Sequence, residues 1–461
     1  MATPPEEKGK ISRRKFILTT AGTAIVAALA GFAGGYLSAP GKVIKEIVEV
    51  PVKPPKKEVP KEPIYVTQAG FETGAGVLWS KQNTDMLKAM IDYINETGGI
   101  LGRKLVLQTF DATIGKEQTI DWLTKLASEH KADVFFSNAG SGYAMALAPT
   151  IEERKIIAFT QGTYTIHLFE DAIPGAKYFF RVSPHDGGWI LAPAYEVARK
   201  YRGKKLRLAL LFQDYAPGRD CGMIAKEALM RLHGDVEIVY EAYHPLYLTD
   251  FTPYISAILA SKPDVLFAGD WGGDTKTKIE QFTAYGVYEK IPLIVHTWDI
   301  HLVNEFGRRY PTNVLGASSN YNITCPGLGW PLSKWLFDFT RTRLGMYPTY
   351  NMCETYIGVM AYKYGVELAY GLKGEYPEPE DIAKALWTLV FPYPGPGGYA
   401  GFRRDSIGIE STTPAVVGYS KIHPEYGIAV LDPVWTVPPE MWGPPPGVKV
   451  MEWIRTLKPL P

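Results

Sequence analysis

Glycine, hydroxyl and aromatic residues gather in this chain at the ends of apolar, β-branched runs, and their types limit the chemistry available there. The stretch QAGFETGAGVLWSKQNTD, residues 68–85, carries Gly70, Gly74 and Gly76 between a strand-like run and a helix-like run. Glycine-rich strand-to-helix turns cradle phosphate in many folds. A dinucleotide fingerprint, G-x-G-x-x-G, needs its third glycine for close helix–strand packing, and here Trp79 stands in that place after Gly74-Ala75-Gly76. No acidic residue ends a second strand about 20 residues further on. No Gly-Lys-Ser/Thr follows for a P-loop either. Nucleotide binding is therefore not expected. The loop reads as a flexible lip presenting one large aromatic side chain.

The other run ends suit a carboxylate better. SNAGSGYAMA (137–146) places Ser141, Gly142 and Tyr143 where a strand gives way to a helix. Exposed N–H groups at a helix N-terminus hold carboxylates. FTQGTYT (159–165) adds Thr163 and Tyr164 at the next run end. In the second half, FQDYAPG supplies Tyr215, AGDWGGD supplies Asp270, Trp271 and Asp274, and VHTWDIH supplies Trp298 and Asp299. Donors on one side, with aromatics and carboxylates on the other, match a zwitterion bearing an apolar side chain. Each residue also has a structural reading, Asp270 and Asp274 as helix caps and Trp271 and Trp298 as core.

Catalytic readings have less support. Ala139-Gly140-Ser141-Gly142-Tyr143 lacks the first glycine of a G-x-S-x-G nucleophile elbow. An esterase at Ser141 would need a histidine within hydrogen-bond reach. His296, Asp299 and His301 are spaced along a strand-to-loop segment without a further cluster, which is a weak metal signal. The eight histidines form no triad by spacing. A glycosidase using paired carboxylates stays open at this stage, because spatial pairing leaves no trace in spacing.

The elements that must position these residues come in two series. IYVTQA (64–69), KLVLQTF (104–110), ADVFFS (132–137) and KIIAFT (155–160) read as strands, with helices at 81–99 and 116–130 between them. After RVSPHDGG the pattern restarts with LRLALLF (206–212), VEIVYEAY (236–243), DVLFAGD (264–270) and PLIVHT (292–297). Helices are expected there at 219–233, 251–261 and 275–285. Such alternation predicts an α/β fold of two doubly wound parallel-sheet lobes, with ligands at the carboxyl ends of the strands.

The 461 residues carry 49 Lys+Arg against 48 Asp+Glu, which removes the basic excess expected of a nucleic-acid binder. Three cysteines, Cys221, Cys325 and Cys353, allow at most one disulfide. Ser12-Arg13-Arg14-Lys15-Phe16-Ile17 matches a twin-arginine export signal, and the uncharged run from Phe16 to about Leu37 is long enough to remain as a membrane anchor. Residues 41–63, alternating Lys and Glu with Pro, read as an extended spacer. Asn95-Glu96-Thr97 and Asn322-Ile323-Thr324 are glycosylation sequons.

From about 64 to 430 the chain resembles the type I solute-binding proteins of ABC importers, particularly the leucine/isoleucine/valine-binding group. The resemblance rests on WSKQNTDMLKAMIDYINETGGILGRKL (79–105), above all GGILGRKL with the following FDAT (110–113). FFRVSP, LLFQDYAPG and KPDVLFAGD follow in the family's order and spacing. It implies two lobes joined by three crossings, near Ser183–Gly188, Ala317–Tyr321 and Gly397–Phe402. Residues 64–185 with 322–400 would form the first lobe and 186–321 with 401–435 the second, followed by a Pro-rich extension, 436–461. It also implies Trp79 packing on the solute side chain, Ser141 to Tyr143 and Thr163 on its carboxylate, and Tyr215 and Trp271 from the second lobe. By strict register the family's ammonium-binding acid falls at Trp298, one residue before Asp299. The partners implied are a small solute and an ABC permease, with no cofactor. Amino acids, amides, urea-like solutes, short peptides and aromatic acids stay open as ligands, as does a role as a surface sensor.

Overall fold

The computed structural model describes residues 58–297, 299–318, 331–395, 398–404 and 407–460. The twin-arginine segment, most of the spacer, Cys325, the Asn322 sequon and Trp298 lie outside them. Among the described residues no helix is long and apolar enough to cross a membrane.

In the first lobe, β1 (Ile64–Gly70) pairs in parallel with β2 (Leu105–Asp111) on one side and β3 (Val134–Asn138) on the other. β4 (Ile157–Thr160) and β5 (Phe179–Phe180) extend the sheet in the order β2-β1-β3-β4-β5. Parallel neighbours require crossover connections. α1 (Val77–Glu96), α2 (Lys116–Ser128) and α3 (Ser141–Arg154) supply them. Met86, Leu87, Met90, Ile91 and Ile94 form the buried stripe of α1, as their spacing predicts. Its exit through GGILG needs glycine. Gly99 has φ +77, and a β-carbon there would lie 2.0 Å from the Arg103 carbonyl oxygen.

The chain then passes through Ser183–His185 into α4 (Asp186–Lys200) and the second lobe. β6 (Leu206–Gln213), α5 (Ala216–Leu232), β7 (Val236–His244), α6 (Thr252–Ser261), β8 (Val265–Gly269), α7 (Gly273–Ala284), β9 (Leu293–His296) and β10 (Leu315–Ser318) follow. α8 (Pro331–Leu344), α9 (Tyr350–Lys373) and α10 (Pro379–Thr388) return to the first lobe, where Leu336, Met352, Ile357 and Leu386 join the core of Val66, Met90 and Phe136. β11 (Val390–Pro392), β12 (Tyr399–Arg404) and β13 (Ile409–Ser411) make a small antiparallel sheet.

Two expectations shift here. Phe402 and Ile409 still belong to the first-lobe core, so the third passage falls between Ser411 and Ala415 rather than near 397–402. β14 (Ala415–Ile422) and β15 (Ala429–Val437) then join the second sheet antiparallel, in the order β15-β14-β10-β9-β8-β6-β7, so that sheet is mixed. The Pro-rich C-terminus is also packed. Trp442 is 2 % exposed and sits edge-on to His185 at 5.4 Å, while Val450 and Ile454 enter the second-lobe core.

Candidate functional site

The first-lobe wall is built from strand ends. After β1, the backbone N–H of Phe71 donates to Ser80 Oγ at 2.9 Å, and Ser80 Oγ donates to the Asn138 carbonyl at 3.1 Å, which ties the glycine loop to β3. Trp79, the third residue of α1, is 3 % exposed. It lies on the backbone of Gly162, where a β-carbon would stand 1.6 Å from its ring. Trp79 is thus a packed wall and not a free lip. Gly140, with φ +75, turns the chain into α3, whose N-terminus has no side-chain cap. Ser141 there is 2 % exposed, Thr163 in the loop after β4 is fully buried, and neither hydroxyl has a hydrogen-bond partner among the described residues. Orphaned buried hydroxyls are uncommon and costly unless a ligand or water meets them. Tyr143 instead donates its hydroxyl to the Ala112 carbonyl at 2.6 Å, beside Gly142.

Behind this wall Gln68 Nε2 donates to Gln161 Oε1 at 2.7 Å, and Gln161 Nε2 to Thr355 Oγ1 at 2.6 Å. Local patterning did not reveal this buried polar chain, because its members come from β1, the β4 loop and α9. Tyr164 turns inward and donates to Glu354 Oε1 at 3.0 Å, its ring edge-on to Trp189.

Trp271 dominates the second-lobe wall. Phe71 stacks on it at 5.8 Å, Trp79 meets it edge-on at 5.9 Å, and Tyr215 and Tyr247 flank it at 6.4 and 6.3 Å. This cluster joins the lobes. Gly273 N–H donates to the Ala75 carbonyl at 3.1 Å and Gln82 Nε2 to the His301 carbonyl at 3.1 Å, so the lobes are in contact across the cleft. Sequence reasoning missed Phe71 and Tyr247. Phe71 directly follows β1 in the stretch singled out, and Tyr247 follows β7, so position at a strand end was the available signal.

Two of the acids expected in the cleft, Asp270 and Asp274, have partners within the second lobe. Asp270 is buried between Lys278 Nζ and His244 Nε2, both at 2.7 Å. Burial alone would raise its pKa, but the two cations outweigh that and hold it well below the usual range. Asp274 accepts from Gln213 Nε2 at 2.7 Å and Tyr247 N–H at 2.8 Å, and burial lifts its pKa to about 6. Both shape the loop that carries Trp271. Trp298 is outside the described residues, and Asp299 begins a short 3-10 turn, Asp299–Leu302. No histidine lies within hydrogen-bond distance of Ser141 Oγ. Among the described residues no group of three His, Cys, Asp or Glu side chains could hold a metal.

At the hinge, Asp220 on α5 accepts from Thr165 Oγ1 at 2.6 Å and Ile166 N–H at 3.3 Å, with His167 Nε2 at 3.1 Å. Asp186 lies beside it, and burial together with the Asp220 charge pushes its pKa well up.

Two α/β lobes that meet over a cleft lined by strand ends, with orphaned hydroxyls on one wall and aromatics on both, define a two-lobed ligand-binding protein. The chain belongs to the periplasmic binding protein family: a family model described as "Periplasmic binding protein" matches residues 63–413. A Pseudomonas aeruginosa "Amino acid binding protein" is 23% identical over 228 residues, an alignment that spans 49% of this chain and 58% of that protein. In fold, the chain is similar to a solute-binding protein of an ABC transporter from Rhodopseudomonas palustris BisB5, solved with 3,4-dihydroxybenzoic acid (TM-score 0.70, 19% identity, 82% of this chain and 98% of that one). It is likewise similar to the leucine-, isoleucine-, valine-, threonine- and alanine-binding protein of Brucella ovis in a closed conformation (TM-score 0.66, 18% identity, 83% and 97%).

Proposed function

We propose that this protein is the extracytoplasmic solute-binding component of an ABC importer, tethered by its N-terminal segment, and that it captures a small carboxylate-bearing solute between its lobes for delivery to a permease. The observation that carries the reading is two buried hydroxyls without a partner among the described residues, Ser141 Oγ at the uncapped N-terminus of α3 and Thr163 Oγ1 in the loop after β4. Carboxylate oxygens would meet both hydroxyls and the adjacent N–H groups. The apolar body of the solute would lie against Trp79, Phe71 and Trp271, with Tyr215 closing from the second lobe. Binding both walls favours the closed arrangement. No bond is made or broken, so no cofactor is required.

An amino acid is the first candidate, in keeping with the name of the P. aeruginosa relative. The aromatic density of the cleft supports a second, an aromatic acid like the one solved with the R. palustris protein. The test is a thermal-shift screen of amino acids, amides and aromatic acids, since a bound solute raises apparent stability by mass action. A carboxylate is expected to raise the melting temperature, and Ser141→Ala with Thr163→Val to weaken its binding about ten-fold or more, as loss of charge-assisted hydrogen bonds does. A carboxylate that binds the double variant unchanged would remove these hydroxyls from the site.

A further inference from the structure

We infer that Gln213 is the positioning residue of the second-lobe wall, the side chain through which that wall holds Trp271 against the rings of the first lobe. This rests on the reading above that Trp271 lines the solute. Phe212–Gly269 is the last pair in register between β6 and β8, so Trp271 lies beyond the end of the ladder. There the Gln213 carboxamide stands in for a neighbouring strand. Trp271 N–H donates to its Oε1 at 3.3 Å, while its Nε2 donates to the Trp271 carbonyl at 3.4 Å and to Asp274 Oδ2 at 2.7 Å. An ionised carboxylate only accepts, so Asp274 fixes which way the amide points. Asp274 Oδ2 is itself held by Tyr247 N–H at 2.8 Å.

The grip is anchored at its base. Gln213 is fully buried, its backbone pairs with His244 of β7, and its carbonyl accepts Tyr215 N–H at 3.0 Å. Before Trp271, Asp270 is tied to Lys278 and His244, and after it Gly272 turns with φ +68. The indole so held meets Phe71 at 5.8 Å and Trp79 at 5.9 Å. Of side chains this long, a carboxamide supplies both the donor and the acceptor. Leucine would leave the Trp271 N–H and carbonyl without this partner, and glutamate would set a second carboxylate against Asp274.

The first measurement needs no solute. Two indoles edge-on at 5.9 Å couple their electronic transitions, so the parent spectrum minus that of Trp271→Phe gives a circular-dichroism band from the Trp79–Trp271 pair. Gln213→Leu should remove this band while the far-ultraviolet helix signal persists. Gln213→Glu should lack it at pH 8, where two carboxylates repel, and regain it at pH 5, where they share a proton, each read against the parent at the same pH. The other charged groups around Asp274, namely Asp270, His244 and the Lys278 that pairs with Asp270, are the same in both chains. The second measurement is calorimetry with L-leucine and with 3,4-dihydroxybenzoate. Gln213→Leu should weaken whichever binds about ten-fold in the parent chain, and not at all in a Trp271→Ala background, because the glutamine acts through the indole. A band unchanged in Gln213→Leu, or an equal loss of affinity with and without Trp271, would overturn the inference. Should Gln213→Leu fail to fold, the recovery of Gln213→Glu at pH 5, or its absence, decides the same question. If neither solute bound the parent, the failure would fall on the carboxylate reading, while the ligand-free band would still decide the role of Gln213.

Discussion

Trp79 and Gly162 show how the site depends on single residues. The indole is buried against a glycine whose φ of +87 is a left-handed conformation, and a methyl group there would occupy the ring's place. Gly162→Ala should therefore destabilise the fold by more than about 2 kcal/mol, from overpacking added to backbone strain. Chemical denaturation would measure this, and a midpoint within error of the parent would show that the ring can move aside. Trp79→Ala should cost about 3 kcal/mol or more in stability and weaken solute binding as well, since the same ring faces Trp271. Ser141 and Thr163 could be picked out in sequence because each follows the end of an apolar, β-branched run, although Ser and Thr at such junctions also serve as helix caps. Asp270 was not. Its partners Lys278 and His244 come from α7 and β7, and only the folded sheet brings them together.

At the level of elements, the parallel strands and their crossover helices could be read from local patterns, since a strand buried on both faces is apolar throughout and α1 repeats its stripe every turn. Sheet order, the antiparallel β14–β15 edge and the β11–β13 sheet could not, because pairing between distant segments leaves no local period. The tie between segment 165–167 and α5 belongs to this scale. His167 is half-buried, and its hydrogen bond to Asp220, with help from Asp171, raises its pKa from 6.5 to about 9. A histidine raised in the folded state contributes its full stability below its unfolded pKa and loses it as pH climbs through the folded value. The parent should thus lose less than about 1 kcal/mol of stability between about pH 6.5 and 9, given its exposure, read as a fall in melting temperature. His167→Gln should show a flatter profile over that window. Equal slopes would mean that the ion pair contributes nothing measurable.

Across the whole molecule, the C-terminal segment does what its proline-rich composition did not announce. It is anchored in the second lobe by Trp442 and Ile454, takes a hydrogen bond from Arg403 Nη1 at Pro444 O (2.7 Å), and reaches the first lobe through Lys449–Asp171 (3.1 Å) and Val450 N–H to Glu170 (2.7 Å). A chain that contacts both lobes in this way is expected to limit how far they swing. Glu170→Ala with Lys449→Ala should increase the ligand-free radius of gyration in solution scattering and speed amide exchange across 444–450. Superimposable scattering and exchange would mean that the segment exerts no restraint. The rim on the other side of the cleft works differently. There Ala75 and Gly273 meet through backbone atoms alone, and a β-carbon on Gly272 would lie 2.8 Å from the Ala75 carbonyl oxygen. That part of the clasp is written in the main chain, whereas the Phe71, Trp79 and Trp271 rings that also join the lobes are the ones proposed to line the solute. A change at the Ala75–Gly273 contact would then alter the fastening alone, while a change in the rings would move solute choice and lobe contact together.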